Sequence, residues 1–568
     1  MGYAHRYADA VMHRGRVPME PADFVPDWAD APRRGKFYPG VESFALPDGD
    51  RIADPPVARG LLPAPGHDTR HDGPEGFTLP LLSAMLKDSY GLTGRRLGIQ
   101  ANSDLSGLPF YTHANWSRGT AGGGGLYPVS VYWITGPSGP LTPGVHYYDV
   151  QQHAAQRLLA GDVSSRVRAA LGPDAPPWAR ETDQYLVLGV KYWQNAFKYN
   201  SFSYHVVSTD LGTLVATWRI WAAARGLRVA PVLWFDEPRL GELLGLTGQE
   251  EALFAVVPLP WGGSAPRPAP PGPQAAPGGS PPAVRHRDVE RSRTVLTFPT
   301  VLAMHEATVA GAADRPAPGA LAAAAARPVP PGGQRLTLPA PRFPDEVPVR
   351  SALRGRRSSF GRFDAARPVT GGQLGAVLAA CAATTLDSDA SPAGTTTGGG
   401  AGGTAATGTA ATGDTSPPPP ERLAALYAFV NHVEGIAPGA YAYDADAHEL
   451  RLVVPGPQGA FLQENYFLAN YNLERAGAVL VPTVRTTAVL DAVGDRGYRL
   501  AVGTAGAVAQ TFYVAAAALG LGAGVALGFD NISFVERLGL GDGDEAPLLI
   551  MPLGNERPGP ADFRHDIA

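Results

Sequence analysis

YLVLGVKYWQNAFKYNSFSYHVVSTDLGTLVATWRIWAAARGLRVAPVLWFDEPRLGELLGL, residues 185–246, and VLVPTVRTTAVLDAVGDRGYRLAVGTAGAVAQTFYVAAAALGLGAGVALGFDNISFVERLGL, residues 479–540, are one pattern written twice. Tyr204 answers to Tyr498, Gly212 to Gly506, Gly226 to Gly520, and Phe235-Asp236 to Phe529-Asp530. The offset is 294 each time (498 − 204, 506 − 212, 520 − 226, 529 − 235), so no gap is needed. Self-similarity at a fixed offset marks a repeated architecture. Upstream, LTPGVHYYD at 141–149 echoes IAPGAYAYD at 436–444. The chain uses one fold twice.

Each copy carries the same layout. A Pro-Gly turn leads into a short strand (145–148; 440–443), followed by a buried strand (185–190; 479–484). Apolar residues at helical spacing predict a long helix over 209–224 and over 504–519, with Gly226 or Gly520 as the stop. A strand is expected over 228–235 or 523–529, and a last one over 252–257 or 546–553. Mixed strands and helices around a long central helix predict an α+β class, as two tandem α/β sandwich domains.

The 568 residues exceed one core, and 44% hydrophobic content suffices for globular domains. Mean hydropathy of −0.08 argues against a membrane protein, and the apolar run 508–526 is interrupted by glycines. The polar, His/Arg-rich start is no secretion signal, and a lone Cys381 forms no internal disulfide, so a cytoplasmic location is expected. A net charge of −5 gives no footprint for nucleic acid. No metal is expected.

The 69 glycines and 56 prolines concentrate where packing is least expected. The expected division is an extension over 1–70, a first copy over 71–262, a Pro/Ala-rich linker over 263–344, and a second copy over 345–558. Residues 261–290 and 312–332 read as extended linker, and the insert 386–420 as disordered, because they carry few side chains able to bury surface.

Three motifs carry chemistry. RGTAGGGGLYPVSVYWI (118–134) puts four glycines before Leu126-Tyr127-Pro128, leaving backbone N–H groups open to an anion or an aromatic ring; on glycine content alone, an ordinary flexible loop is the plainer reading. RGRRSSFGRFD (354–364) offers guanidinium forks and hydroxyls suited to phosphate, and equally reads as a solvated basic turn. FKYNSFSY (197–204) holds Lys198-Tyr199, which the offset maps onto Ala492 and Val493. A lysine of lowered pKa, or a tyrosine beside a cation, can take a proton from carbon. An exposed Lys beside a packing Tyr is the bland alternative.

Together these motifs and GLGAGVALGFD resemble the nitroreductase-like azoline dehydrogenases, over roughly 75–260 and 345–557. The resemblance implies an FMN-dependent dehydrogenase that oxidises thiazolines and oxazolines to thiazoles and oxazoles in a ribosomally made precursor peptide. It implies a site at which FMN lies across the interface of an intramolecular pseudo-dimer, further oligomerisation being left open. Arg356, Arg357, Ser358 and Arg362 match the opening phosphate motif of that group. Arg118, Thr120, Ala121 and Gly122 match the loop given by the opposite subunit, with Gly119-Thr120 where Pro-Ser is usual. Gly524, Leu527 and Gly528 match the segment passing the flavin's reactive edge, and Asn555 and Arg557 the closing basic position. Lys198 or Tyr199 is the implied proton acceptor.

The reciprocal site reads as broken: the first copy has only Arg95-Arg96 where an Arg-x-Ser motif is needed, and the insert replaces the second copy's loop. One FMN per chain is therefore expected. A cyclodehydratase is the expected partner, supplying the cyclised peptide. The segment GKFYPGVESFALP (35–47) either packs on the first copy or helps hold a peptide. Rival readings are a nicotinamide-dependent nitro- or quinone reductase, another peptide-modifying flavin oxidase, and a peptide-binding scaffold with a decayed flavin site.

Overall fold

Runs rich in Val, Leu, Ile and Tyr make the core of each copy, and both copies fold them alike. The computed structural model describes residues 2–62, 75–97, 114–246, 248–262, 281–329, 332–391, 421–541, 544–558 and 563–567. In the first copy, strands run antiparallel in the order Glu42–Ala45, Ala154–Ala160, Gly144–Asp149, Val129–Thr135, Gln184–Lys191, Glu251–Pro258. The second repeats the order as Arg335–Thr337, Glu449–Pro455, Gly439–Asp444, Ala424–Val430, Ala478–Val484, Met551–Gly554, with Gly522–Ala523 at its far edge. The two strands over 184–191 and 478–484 are buried almost throughout, which is why they read as unbroken apolar runs. Even the hairpin tips agree: His153 and His448 both take positive φ, and each ring meets a tyrosine hydroxyl, Tyr148 at 2.9 Å and Tyr443 at 2.7 Å.

The two long helices, Ser203–Ala223 and Gly497–Ala518, begin one to two turns earlier than the periodicity predicts. They cross at glycines. A Cβ on Gly212 would stand 1.9 Å from the Gly503 carbonyl oxygen, and one on Gly506 2.1 Å from that of Thr209. Residues 503 and 506 are the repeat mates of 209 and 212, so these are one contact seen from both sides of a pseudo-twofold axis. That is the self-complementary geometry of a twofold dimer, here inside one chain. Helix Gly497–Ala518 is long and apolar enough to cross a membrane, and 94% of its apolar window is buried within this protein.

The outlying segments close the edges. Residues 1–70 supply helix Tyr3–His13 and edge strand Glu42–Ala45, and 263–344 supply helix Pro299–Ala310 and the matching edge strand Arg335–Thr337. Lys36 reaches inward to the Glu251 carboxylate and the Tyr132 hydroxyl, so 35–47 packs on the first copy. Within 312–329, Leu321 and Ala324 are buried, and Arg315 bonds the Asp389 carboxylate. Residues 386–391 likewise pack, Leu386, Asp389 and Ala390 being buried. They are ordered by specific partners rather than by hydrophobic mass. The rest of that insert, 392–420, and residues 63–74 and 263–280 lie outside the described residues.

The expected strand over 228–235 does not form. Pro231 has no N–H to give, only Val232 bridges to Val256, and the amides of Leu233 and Trp234 donate to Asp389 at 2.8 and 3.2 Å. Its counterpart over 523–529 is strand only at Gly522–Ala523, with Ala526 bridging Ile550.

Candidate functional site

A basic cleft of ≈ 280 Å³ opens beside the second copy's long helix, lined by Arg96, Arg356, Arg357, Arg564, Tyr513 and the 520–523 backbone. The Arg/Ser motif reaches it because the chain turns at the end of helix Val349–Gly355 and pairs with the sheet edge: Ser359 N–H donates to Ala523 O at 2.8 Å, and Ala523 N–H to Ser359 Oγ at 3.0 Å. Ser358 Oγ lies 2.8 Å from the Tyr513 hydroxyl, and Arg357 pairs with Glu556 at 2.6 Å. Arg96 arrives from the first copy, braced on Arg354 O and Arg356 O. Burial, reinforced by the charges of Arg356, Arg564 and Arg357, lowers its pKa to about 10. Four arginines against the one carboxylate of Glu556 leave the lining of this small cleft positively charged, which suits an anion.

The glycine-rich loop of the first copy is held by the second. Arg356 donates to Gly119 O at 2.9 Å and to Arg118 O at 3.0 Å. Gln510, fully buried on the second long helix, accepts from Ala121 N–H at 2.9 Å and donates to Gly119 O at 3.1 Å. Thr120 turns its hydroxyl inward to Thr217, and the Arg118 guanidinium stacks over Tyr127 and Tyr90 at 4.1 and 4.6 Å. Gly122 packs on the Tyr127 ring. Gln510, Thr120, Arg118 and Gly122 fix the loop rather than line the cleft, and Arg356 does both.

The other end of the loop carries the Lys-Tyr pair. Gly124 takes a left-handed conformation (φ 61°), and a Cβ there would stand 2.6 Å from Lys198 Nζ and 2.7 Å from the Tyr199 hydroxyl. Only glycine lets the backbone come this close. Burial lowers the Lys198 pKa, and the nearby Arg34 lowers it further. Burial raises that of Tyr199, with the Asp210 carboxylate adding to it. Lysine is thus biased toward free amine and tyrosine toward phenol.

Gly524, Leu527 and Gly528 run alongside. A Cβ on Gly524 would strike the Tyr471 ring at 2.5 Å, and the Leu527 carbonyl accepts from Arg14, whose guanidinium also covers the Phe202 ring at 4.5 Å. Arg14 therefore spans from the Lys-Tyr side to this segment. Arg362 and Arg557 bind each other's neighbourhood, Arg557 N–H donating to Arg362 O at 2.7 Å, and Asn555 donates to Arg367 O and Pro368 O. These three do not line the cleft; their bonds go to the backbone that follows the Arg/Ser turn.

The pseudo-symmetric position differs sharply. There the amides of Leu233 and Trp234 are capped by Asp389, itself held by Arg315 at 2.9 Å. Their repeat mates are Leu527 and Gly528, whose amides have no hydrogen-bond partner among the described residues. One position is capped by the protein's own carboxylate; the other has no such cap among the described residues. The arginine cleft suits an anionic group, such as the phosphate of a flavin mononucleotide.

Sequence reading missed Arg96 and Arg564 as cleft residues, Gln510 and Tyr513 as supports, and the carboxylates Asp210 and Asp389. Arg96 was named only for the reciprocal site of the first copy, and Asp210 lies in the quoted 185–246 stretch; Arg564 and Asp389 lie in stretches that carry no periodic signal.

The sequence profile of the nitroreductase family matches residues 421–555. No curated protein sequence matches. A solved putative nitroreductase from Anabaena variabilis superimposes with a TM-score of 0.66 at 20% identity, covering 98% of this chain and 100% of its own. Its full coverage fits the tandem arrangement. A putative nitroreductase from Ralstonia eutropha is similar at 22% identity, covering 41% of this chain and 95% of its own, with a TM-score of 0.28. The E. coli microcin synthetase McbBCD complex with truncated pro-MccB17 bound gives 16%, 36%, 71% and 0.27 for the same quantities. The chain thus has the nitroreductase fold, and its residues 421–555 form a domain of the nitroreductase family.

Proposed function

We propose that this chain is an FMN-dependent dehydrogenase that oxidises thiazoline and oxazoline rings in a ribosomally made peptide to thiazoles and oxazoles. The observation that carries the reading is the Lys198-Tyr199 pair resting on Gly124, at the end of a loop whose other end is gripped by Arg356. A reductase that only relays electrons from a nicotinamide needs no base there. The pair is kept only in the copy that has the glycine loop, and small apolar residues replace it in the other.

Arg356, Arg357, Arg96 and Arg564 would hold the phosphate of FMN, and the amides of Leu527 and Gly528 would face its ring edge. Bound there, FMN would supply a two-electron acceptor, with oxygen as the terminal oxidant. Lys198, biased toward the neutral amine, takes the proton that leaves the azoline carbon as the hydride departs, and aromatisation drives the step. Tyr199 stays a phenol and can orient the ring by donating a hydrogen bond. A cyclodehydratase that forms the azoline is the implied partner.

A mass spectrum of an azoline-containing peptide, incubated with purified protein in air without nicotinamide, tests the reading. The expected result is the loss of two hydrogens per ring, dependent on FMN. An unchanged mass with rapid bleaching of bound flavin by NAD(P)H would make the protein a reductase instead; absence of bound flavin would favour a scaffold.

A further inference from the structure

Asp210 is the one carboxylate among the helix side chains that hold the glycine loop. Along one face of helix Ser203–Ala223, Asp210 accepts from Gly123 N–H at 2.7 Å, Thr213 donates to Ala121 O at 2.9 Å, and Thr217 meets Thr120 at 2.9 Å. Asp210 Oδ1 is occupied by that bond, whereas Oδ2 is buried and has no hydrogen-bond partner among the described residues. The next residue along the loop is Gly124, the floor under Lys198 and Tyr199. The ionisable groups facing the carboxyl are Tyr199 and Tyr90, with Arg118 beyond Tyr90 and Lys198 across Gly124. The repeat mate of Asp210 is Thr504, which merely bonds back to Leu500 O within its helix. The carboxylate is therefore present only in the copy that carries the Lys-Tyr pair.

We propose that Asp210 is a positioning residue for that pair: it fixes the pair's floor through Gly123 and, when ionised, adds to the burial that keeps Tyr199 a phenol, leaving Lys198 as the base. This rests on the dehydrogenase reading above. The carboxyl is not itself oxidised or reduced. The carbon-bound proton ends on the Lys198 amine, the hydride leaves to the cofactor, and the negative charge of Asp210 opposes formation of a phenolate at Tyr199. Burial raises the Asp210 pKa from 3.8 to about 7, so the charge on this carboxyl changes within the working range of an enzyme at neutral pH.

Two variants separate the floor from the charge. Asp210→Asn can still accept from Gly123 N–H but cannot ionise; Asp210→Ala does neither. Hydrogen exchange of the 118–128 segment, read by mass spectrometry on the FMN-loaded protein, should be unchanged in Asp210→Asn and faster in Asp210→Ala. In azoline oxidation Asp210→Ala should lose about 100-fold in kcat, as misplaced catalytic groups do. Asp210→Asn should lose less in kcat, keep its KM, and lose the ionisation near pH 7 from its profile. Wild-type exchange in Asp210→Ala, or a wild-type pH profile in Asp210→Asn, would overturn the proposal. Should wild-type protein oxidise no azoline, the dehydrogenase reading falls by itself, and the exchange rates of Asp210→Ala still decide whether this carboxylate holds the loop.

Discussion

Substituting alanine for Gly212 tests the idea that the two copies meet as a dimer would. The added Cβ would stand 1.9 Å from Gly503 O, against a comfortable separation of roughly 3.5 Å, so the helices must part by more than about 1 Å. Overpacking costs roughly 1–3 kcal/mol, and the obstacle here is backbone, which puts the cost near ~3 kcal/mol. Alanine returns about 1 kcal/mol through its better helix propensity. The net loss is about 2 kcal/mol, or roughly 4–8 °C in Tm at 2–4 °C per kcal/mol for a unit of about 200 residues. Gly506→Ala meets Thr209 O at 2.1 Å and should cost a similar amount. Both substitutions demand the same separation, so the double variant should lose clearly less than the two losses together, by about 1 kcal/mol or more. Thermal melts followed by circular dichroism, with Gly311→Ala as a control whose Cβ meets nothing within 4 Å, read all four numbers. Melting points at the wild-type value, or strict additivity, would refute the shared crossing.

Other consequences follow from the site. Lys198→Ala and Tyr199→Phe should each lower turnover while FMN stays bound; unchanged rates in the peptide mass assay would remove them from the chemistry. Because the Lys198 amine acts neutral and its pKa is lowered, kcat/KM should fall on acidification through a midpoint below the usual lysine range, and Lys198→Ala should abolish that limb. Arg356→Ala with Arg357→Ala should strip the flavin, measured by its absorbance after gel filtration, and full retention would exclude them. Asp389→Ala leaves two buried amides and Arg315 without their partner, so about 3–5 kcal/mol of stability should go, seen in urea unfolding. The wild-type chain should hold one flavin; a ratio near two would sink the single-site reading.

What could be read from residues alone depended on how local the cause was. The repeat was legible because helix Ser203–Ala223 and helix Gly497–Ala518 keep their glycines where backbones touch, and a glycine forced by contact survives in the pattern. The strands 184–191 and 478–484 were legible because full burial writes an unbroken apolar run. The edge strands Glu42–Ala45 and Arg335–Thr337 were not, since they are mostly exposed and need no apolar alternation. Residues 228–235 misled for a related reason: the run is apolar and buried, but its amides are satisfied by a carboxylate 156 positions further on at Leu233 rather than by a ladder. The Arg/Ser motif named Arg356 and Arg357, yet Arg96 joins them only through tertiary placement of a short strand, Gly94–Leu97, across the Arg/Ser turn.

The closed pseudo-site shows why one chain replaces two. In a dimer of identical subunits, any residue that shuts one site shuts both. Once the copies share a chain, Asp389 can cap Leu233 and Trp234 while Leu527 and Gly528 have no such cap among the described residues. Equally, Lys198, Tyr199 and Asp210 can be kept in one copy and lost as Ala492, Val493 and Thr504 in the other. The closed position then does structural work, since Arg315 and Asp389 together hold the Leu233-Trp234 backbone of the first copy. The open one gathers every loop-gripping contact of the second copy, through Arg356 and Gln510, onto the single glycine loop that remains. Tandem fusion thus frees the two positions to differ where a symmetric dimer must keep them alike: one holds the fold, and the other is released from that duty.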